Sequence, residues 1–388
     1  MSRSGFISRE TGIHERVPGY RRAAIVHDFM VTEGGAERCA LEFARLLPTA
    51  ELHTTFFDEQ RFGDRIDPAR VRPWLLNRVL GPTSRFRSLL PLYPAYFTSL
   101  DLRWADLVLS SSIAFSKAVR TRPDAVHISY VHTPLRYAWD LDTYLDGSSY
   151  GAAARLGARL LRPPLQRWDR WTSTRPDVIV ANSRTVQERI KRLWGRDSEV
   201  IYPPVNVDEV ALSGRDDGFL LVASRMLAYR RLDLVVGACR RLGRRLVLVG
   251  DGPERARLEA MAGPETTFLG HVGRERLLEM FASCSAYVVP GVEDFGIAPV
   301  EAMAAGKPVV AFRAGGATET VVEDVTGVFF EEATVESLAS AIERVEHLRF
   351  DPQSIRRHAE RFDRRVFLAA WRDLFQRLGV DPSLYSAE

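Results

Sequence analysis

Short apolar runs alternate along the chain with stretches whose apolar residues recur every three or four positions. This is the pattern of a parallel sheet with helices on both faces. The first run is Ala23-Ala24-Ile25-Val26-His27, followed by a glycine turn and a helix predicted over 37–47. Runs at 105–109, 126–132 and 177–181, the last leading into a helix over 184–193, complete one doubly wound sheet. The alternation breaks across 206–218, where Ser213-Gly214 and Asp216-Asp217-Gly218 mark a polar linker between domains. It restarts with strands at Phe219–Ala223, 245–250, 267–269, 286–290 and 308–312. The expected fold class is α/β, with two Rossmann-like doubly wound domains over 21–212 and 213–365 facing a central cleft. A mostly helical tail over 354–378 suits a return across that cleft, so that 366–388 completes the first domain. Residues 1–20 are polar with no apolar h-region and read as a disordered lead-in rather than a secretory signal.

Composition narrows the class without naming the chemistry. The 388 residues are 46% hydrophobic and 27% charged, which excludes disordered, collagen-like and disulfide-scaffold proteins. No apolar run approaches the ~18 residues of a membrane span, and the expected location is the cytoplasm, including the inner face of the membrane. Cys39, Cys239 and Cys284 lack metal-ligand spacing and lie in core-patterned segments, so they read as packing residues. Charge changes the picture more. Residues 1–200 hold 30 Lys+Arg against 22 Asp+Glu, a net +8, whereas 201–388 hold 23 against 28, a net −5. The first half therefore prefers anionic surroundings. Fifty of the 53 cations are arginine, which GC-rich coding produces as readily as phosphate recognition does, so position has to decide.

In doubly wound sheets ligands bind beyond the carboxyl ends of the strands, so the residues that follow strands are the candidates. Pro290-Gly291-Val292-Glu293-Asp294-Phe295-Gly296-Ile297-Ala298-Pro299-Val300-Glu301-Ala302-Met303 is the strongest cluster. It predicts a strand end, a loop carrying Glu293, and a helix starting near Pro299. Free N–H groups of Phe295, Gly296, Ile297 and Ala298 at that helix start suit phosphate or sugar oxygens. Glu293 and Glu301 on either side suit sugar and ribose hydroxyls, although Glu301 would equally complement a helix dipole. Gly34-Gly35 after the first strand lets backbone approach a diphosphate, or forms an ordinary tight turn. His132 ends a strand, where a capped structural histidine is the plain alternative. Asp140-Leu141-Asp142 is better read as a solvated or capping pair than as a metal site.

Glu293 and Glu301 with seven residues between them, followed by Ala302-Met303-Ala304-Ala305-Gly306-Lys307-Pro308-Val309-Val310, resemble the signature of retaining nucleotide-sugar glycosyltransferases of family 4, which have the two-Rossmann GT-B fold. Gly34-Gly35-Ala36-Glu37, Gly250-Asp251-Gly252-Pro253, Phe268-Leu269-Gly270-His271-Val272 and Gly315-Gly316-Ala317-Thr318-Glu319 are similar to further loops of that family. The resemblance implies a donor diphosphate bound by Arg225 and by a lysine five residues on. Here that position is Arg230, a planar fork in place of a point charge, with Arg231 beside it as an alternative. It implies that His132 binds near the transferred sugar, that Glu293 holds the sugar and Glu301 the ribose. Gly252, His271, Val272 and Asp294 are implied to lie at the donor. It implies no cofactor and no metal.

Two basic, apolar stretches remain, Arg72-Pro73-Trp74-Leu75-Leu76-Asn77-Arg78-Val79-Leu80 with Arg85-Phe86-Arg87-Ser88-Leu89-Leu90, and the run holding Arg155, Arg159, Arg162, Arg167 and Arg170. Membrane-surface binding and plain amphipathic packing explain both equally. The expected function is hexosyl transfer, with mannose from GDP-mannose as the leading donor and a glycan or lipid-linked acceptor. The Tyr130-Val131-His132-Thr133-Pro134-Leu135-Arg136-Tyr137 run resembles bacterial mannosyltransferases. The alternatives are a UDP-sugar with a small soluble acceptor, and a GT-B protein that binds a nucleotide sugar without transferring it. No role with nucleic acid is expected.

Overall fold

The computed structural model describes residues 22–82, 84–141 and 152–386, so the expected lead-in at 1–20 lies outside the described residues. The first sheet contains β1 (Ala23–His27), β2 (Glu51–Thr54), β3 (Val71–Pro73), β4 (Leu107–Ser112), β5 (Val126–Val131), β6 (Val178–Ala181) and β7 (Glu199–Val200). They lie in the order β3-β2-β1-β4-β5-β6-β7, all parallel. Its helices are α1 (Gly35–Leu46), α2 (Glu59–Phe62), α3 (Leu75–Leu80), α4 (Tyr93–Ser99), α5 (Arg136–Trp139), α6 (Ala152–Thr172) and α7 (Arg184–Trp194).

The second sheet contains β8 (Phe219–Ala223), β9 (Arg245–Val249), β10 (Thr266–Gly270), β11 (Ala286–Val289), β12 (Val309–Phe312) and β13 (Gly327–Phe330). Their order is β10-β9-β8-β11-β12-β13, again all parallel. Helices α8 (Leu232–Leu242), α9 (Arg255–Met261), α10 (Arg274–Ser283), α11 (Ile297–Ala304), α12 (Ala317–Thr320), α13 (Val335–His347), α14 (Pro352–Ala359) and α15 (Arg364–Arg377) follow. The architecture is the GT-B fold, two doubly wound domains.

Every residue of β1 and of β4 is buried, as central parallel strands covered on both faces require. Chain direction across the sheet reverses between β1 and β4 and again between β8 and β11, creating a switch point in each lobe. β3 was not foreseen because Pro73 and Arg72 break an apolar run; an edge position tolerates both.

The expected linker is not a free tether. Val205, Val207 and Val210 are buried in the core of the second lobe with Phe219 and Phe281, so that lobe begins before the expected boundary at 212–213. The polar run around Ser213 and Asp216 concealed these three valines. The tail divides at residue 363. α14 packs Ile355 and Ala359 into the second core, whereas α15 packs Phe367, Leu368, Trp371, Leu374 and Phe375 into the first, beside α1. There Trp371 meets Phe43 edge-on at 4.9 Å and Tyr130 at 5.7 Å. The two passages between lobes are stitched together, since Val205 N–H donates to Phe362 O at 3.0 Å and Arg364 N–H to Val205 O at 2.9 Å.

One buried ion pair fixes the helices beside the cleft. Lys117 Nζ donates to Asp169 Oδ1 at 2.7 Å, and Asp169 Oδ2 accepts from Trp139 Nε1 at 2.6 Å and Trp194 Nε1 at 2.7 Å. All of the acid's charge is thereby matched, the condition under which a buried pair is tolerated. It joins the segment after β4 to α5, α6 and α7.

Because Trp371 is fully buried against two aromatic neighbours, Trp371→Ala should lower the stability of the intact chain by roughly 3–5 kcal/mol. Chemical denaturation followed by circular dichroism measures the loss, and a value below about 1 kcal/mol would show that α15 does not close the first core.

Candidate functional site

The loops at the two switch points face each other across a cavity of about 390 Å³. From the first lobe come Phe29 and Gly35-Ala36-Glu37 after β1, Ile113-Ala114-Phe115 after β4, His132 with Thr133, Arg136 and Tyr137 after β5, and Asn182 after β6. From the second come Arg225, Tyr229 and Arg230 after β8, and Glu293-Asp294-Phe295-Gly296-Ile297 after β11. Every one of these segments follows the carboxyl end of a strand. The first-lobe wall, with Phe29, Phe86, Leu90, Ile113 and Phe115, is mainly apolar; the second-lobe wall is ionic.

Arg230 and Glu293 form an ion pair at the cavity, with the guanidinium also 5.3 Å from the Tyr229 ring. Burial alone would pull the Arg230 pKa down, but the Glu293 charge outweighs it and holds the guanidinium protonated. Its buried Nε has no hydrogen-bond partner. Arg231 points elsewhere. Its backbone is left-handed, with φ of 51°, and its Nε donates to Asp233 at 3.1 Å. Of the two neighbours, Arg230 lines the cavity and Arg231 does not.

The helix expected near Pro299 begins two residues earlier, at Ile297, because Gly296 takes φ of 90° and turns the chain into it. Glu301 is consequently the fifth helical residue rather than a first-turn residue. It is buried away from the cavity lining, and its Oε1 accepts from Arg38 Nη1 of the first lobe at 2.8 Å and from Arg274 Nη1 at 2.6 Å. Asp294 lines the cavity and has a second part. Its carboxylate reaches across the cleft, where Oδ2 pairs with Arg136 and Oδ1 accepts from Arg189 Nη1 at 2.6 Å. Burial pushes Asp294 up, but these two arginines outweigh it and hold the carboxyl below its ordinary range. Its side chain is a clasp between lobes.

The remaining expected residues divide. Gly35 touches the other lobe: a Cβ there would lie 2.7 Å from Ile297 Cδ1. Gly34, the N-cap of α1, and Ala298 are next to lining residues and are not themselves lining. The Phe295 ring is in the second core against Tyr202 and Phe362, both 5.5 Å away, and its segment lines the cavity. Gly252 serves loop packing, since a Cβ would meet Met226 O at 2.4 Å. His271 and Val272 follow β10, an edge strand two places from the switch point, and do not reach the cavity. Asp140 ends α5, and Asp142 lies outside the described residues. The three cysteines are buried, and burial pushes Cys239 and Cys284 up to about 12.

His132 is buried and its Nε2 is 2.9 Å from Ser111 Oγ. Burial first, and the neighbouring His27 second, push it down to about 3, so it is a neutral hydrogen-bonding group. Glu37 ends the Gly34-Gly35-Ala36-Glu37 loop motif. It is buried in the cavity wall, and burial raises it to about 7. Arg189 reads in sequence as an ordinary helix position, and Arg136 stands there only as part of the Tyr130–Tyr137 run, with no role of its own.

Two family profiles match consecutive stretches of the chain. The one described as Glycosyltransferase Family 4 matches residues 33–209, and the one described as Glycosyl transferases group 1 matches 207–362. Sulfoquinovosyl transferase SQD2 of Arabidopsis thaliana is 30% identical over 206 residues, 49% of this chain and 40% of that protein. A GDP-mannose-dependent alpha-(1-6)-phosphatidylinositol monomannoside mannosyltransferase of Mycolicibacterium smegmatis is 27% identical over 198 residues, 43% of this chain and 52% of that protein. The chain thus spans about half or less of the length of these curated relatives. In fold it is similar to Anabaena Alr3699/HepE in complex with UDP-glucose, with a TM-score of 0.66 over 92% of this chain and 99% of that one at 18% identity.

The buried histidines give a pH signature. His27 and His53 are pushed down to about 4, and His127 and His132 to about 3, all by burial. Groups depressed on folding stabilise fully above their unfolded value near 6.5, and lose that contribution as pH falls through the folded values. Glu37, raised to about 7, acts oppositely and weakens stability as pH rises through that value. Stability should therefore fall from pH 6.5 to 4. His132→Gln should remove one proton's share of the slope, about 1.4 kcal/mol per pH unit. Denaturation midpoints of both proteins across this range provide the check, and parallel pH curves would contradict the assignment.

Proposed function

We propose that this chain, which belongs to the GT-B-fold glycosyltransferases, transfers a hexose with retention from a nucleotide sugar, with GDP-mannose as the donor and a glycan or lipid-linked molecule as the acceptor. The observation that carries the reading is the convergence of Arg225, Arg230 and Glu293 from the two second-lobe switch-point loops on one cavity, opposite His132 of the first lobe. In this reading the acceptor hydroxyl attacks the anomeric carbon on the face the diphosphate leaves, and a donor phosphate oxygen takes its proton. The protein's share is orientation and stabilisation of the departing diphosphate.

Each side chain has a part consistent with its surroundings. Arg225 and the unpartnered Nε of Arg230 face developing phosphate charge, while the remainder of the Arg230 fork stays on Glu293. A lysine has no second arm for that division, which gives the departure from the family's lysine a physical sense. Glu293, oriented by Arg230, receives sugar hydroxyls. Neutral His132 hydrogen-bonds the transferred sugar. Glu301 receives the ribose, with Arg38 and Arg274 fixing Oε1. Mannose is supported by the GDP-mannose-dependent relative and by the Tyr130–Tyr137 run, which includes the cavity residues His132, Thr133, Arg136 and Tyr137.

Thermal unfolding with GDP, UDP and ADP tests the donor. The cognate diphosphate at a hundred times its Kd adds about 2.7 kcal/mol. GDP alone is expected to shift the midpoint; a shift with UDP alone would displace mannose, and no shift with any would remove the nucleotide site from this cavity. Arg225→Ala and Arg230→Ala should each lower kcat by about 10²–10³, with Arg231→Ala close to wild type. Donor turnover measures this, and the same loss from Arg231→Ala as from Arg230→Ala would overturn the roles drawn from the geometry.

A further inference from the structure

We infer that the first lobe docks on an anionic lipid bilayer through the exposed apolar and basic positions of α3, the 3-10 segment Ser84–Leu92 and the first half of α6. This deepens the lipid-linked acceptor named above and rests on that reading for its purpose, although the surface itself is defined by exposure and charge alone.

The face is apolar where water should be. On α3, Leu75 is 66% and Val79 74% exposed, and Leu80 stands out beside them. Leu92 closes the neighbouring 3-10 segment and is also exposed. On α6, Leu160 is 69% exposed, with Leu156 one helical turn before it and Leu161 after it. Isolated exposed leucines are ordinary, but seven of the fifteen exposed large apolar side chains among the described residues lie on these three segments. Pro163 and Pro164 lie inside α6 just beyond these leucines, and its second half packs Leu165 and Trp168 against the core.

Charge selects the partner. Residues 68–100 contain five arginines and no aspartate or glutamate, and residues 147–168 contain four arginines and no acid. Arg78 and Arg159 are exposed among the leucines. Leucines that enter the acyl boundary beside arginines that meet headgroup phosphates fit an anionic bilayer surface. A protein partner of ordinary composition would leave a run of this length with some acidic positions to match.

The face is continuous with the site. Phe86 and Leu90 of the 3-10 segment line the cavity, and Leu92 of the same segment is at the surface. Phe86 O accepts from Tyr93 OH at 3.0 Å, and Tyr93 packs on Trp74, the residue that caps α3. An amphiphilic acceptor lying in the bilayer would thus meet an apolar wall of Phe29, Phe86, Leu90 and Phe115 before its hydroxyl reaches the ionic side.

The test is co-sedimentation of the full chain with vesicles of phosphatidylcholine alone and of phosphatidylcholine with about 30 mol% phosphatidylglycerol. Binding is expected only to the anionic vesicles, weakening with added salt. Val79→Glu and Leu160→Glu should each reduce it about tenfold or more, with unchanged melting midpoints and an unchanged nucleotide-induced shift. No binding to anionic vesicles, or equal binding by wild type and both variants, would overturn the proposal. So would a concentration-dependent dimer abolished by the same variants without vesicle binding, which would assign the face to a second copy of the chain. If vesicle binding follows the expected pattern and no nucleotide shifts the midpoint, the docking face stands and the transfer reading fails.

Discussion

The lobes of this protein are held in register by a polarity rule at the cleft: the first lobe supplies cations and N–H donors, the second supplies carboxylates. Asp294 takes Arg136 and Arg189, and Glu301 takes Arg38. Glu319 accepts from the backbone N–H of Arg184 at 2.7 Å and of Thr185 at 2.9 Å, so it caps the start of α7 from the opposite lobe. The bonds of Asp294 and Glu301, and that of Thr185 to Glu319, are between groups partly withdrawn from water, where charge-assisted hydrogen bonds are worth more than on a surface. The cavity depends on them, because its two walls belong to different sheets and share no core. The opposite net charges of the two halves thus have one destination in the fold itself, and the acid-free stretches around α3 and α6 are what remains of the positive excess.

Most of the site's charge lies on the second-lobe side, with Glu37 and Arg136 as the charged members of the first. Arg230 pairs with Glu293 of its own lobe, whereas Arg225 feels the Glu37 carboxylate of the first lobe. The facing wall is built on aromatic packing, Phe29 on Phe86 at 4.7 Å and Tyr93 on Phe115 at 5.6 Å. Between the walls, His132 and Ser111 provide hydrogen bonding without charge. A charged nucleotide and a less polar acceptor would each meet the wall suited to it, with the neutral histidine where the two substrates join.

Much of this was legible in the sequence, because central parallel strands are apolar runs and the chemistry follows their ends. β1, β8 and β11 and the loop carrying Glu293 came from that logic, whereas Arg225 and the role of His132 came from the family resemblance. What stayed hidden depended on third dimensions that spacing does not carry. Arg230 and Arg231 are adjacent and chemically identical, and only their placement relative to the cavity separates them. Asp294 and Glu301 read as donor residues only, because a sequence does not show Arg136, Arg189 and Arg38 approaching from another lobe to pair with them. His271 and Val272 sit in a family-like loop, yet the strand order places that loop at the sheet edge. Val205, Val207 and Val210 were obscured by polar neighbours, although their alternation belongs to a buried segment.

The return of α15 to the first lobe carries a consequence for how the protein is made. A ribosome delivers β1 to β7 first, but the core they enclose has a vacancy the size of Phe367, Trp371 and Phe375 until the whole second lobe has been synthesised. The earlier-made lobe is therefore the later one to finish folding, against the usual order in which domains mature from the N-terminus. In the interval Phe43 and Tyr130 lack their aromatic cover, so the nascent first lobe is the stage at which a holding chaperone has most to protect.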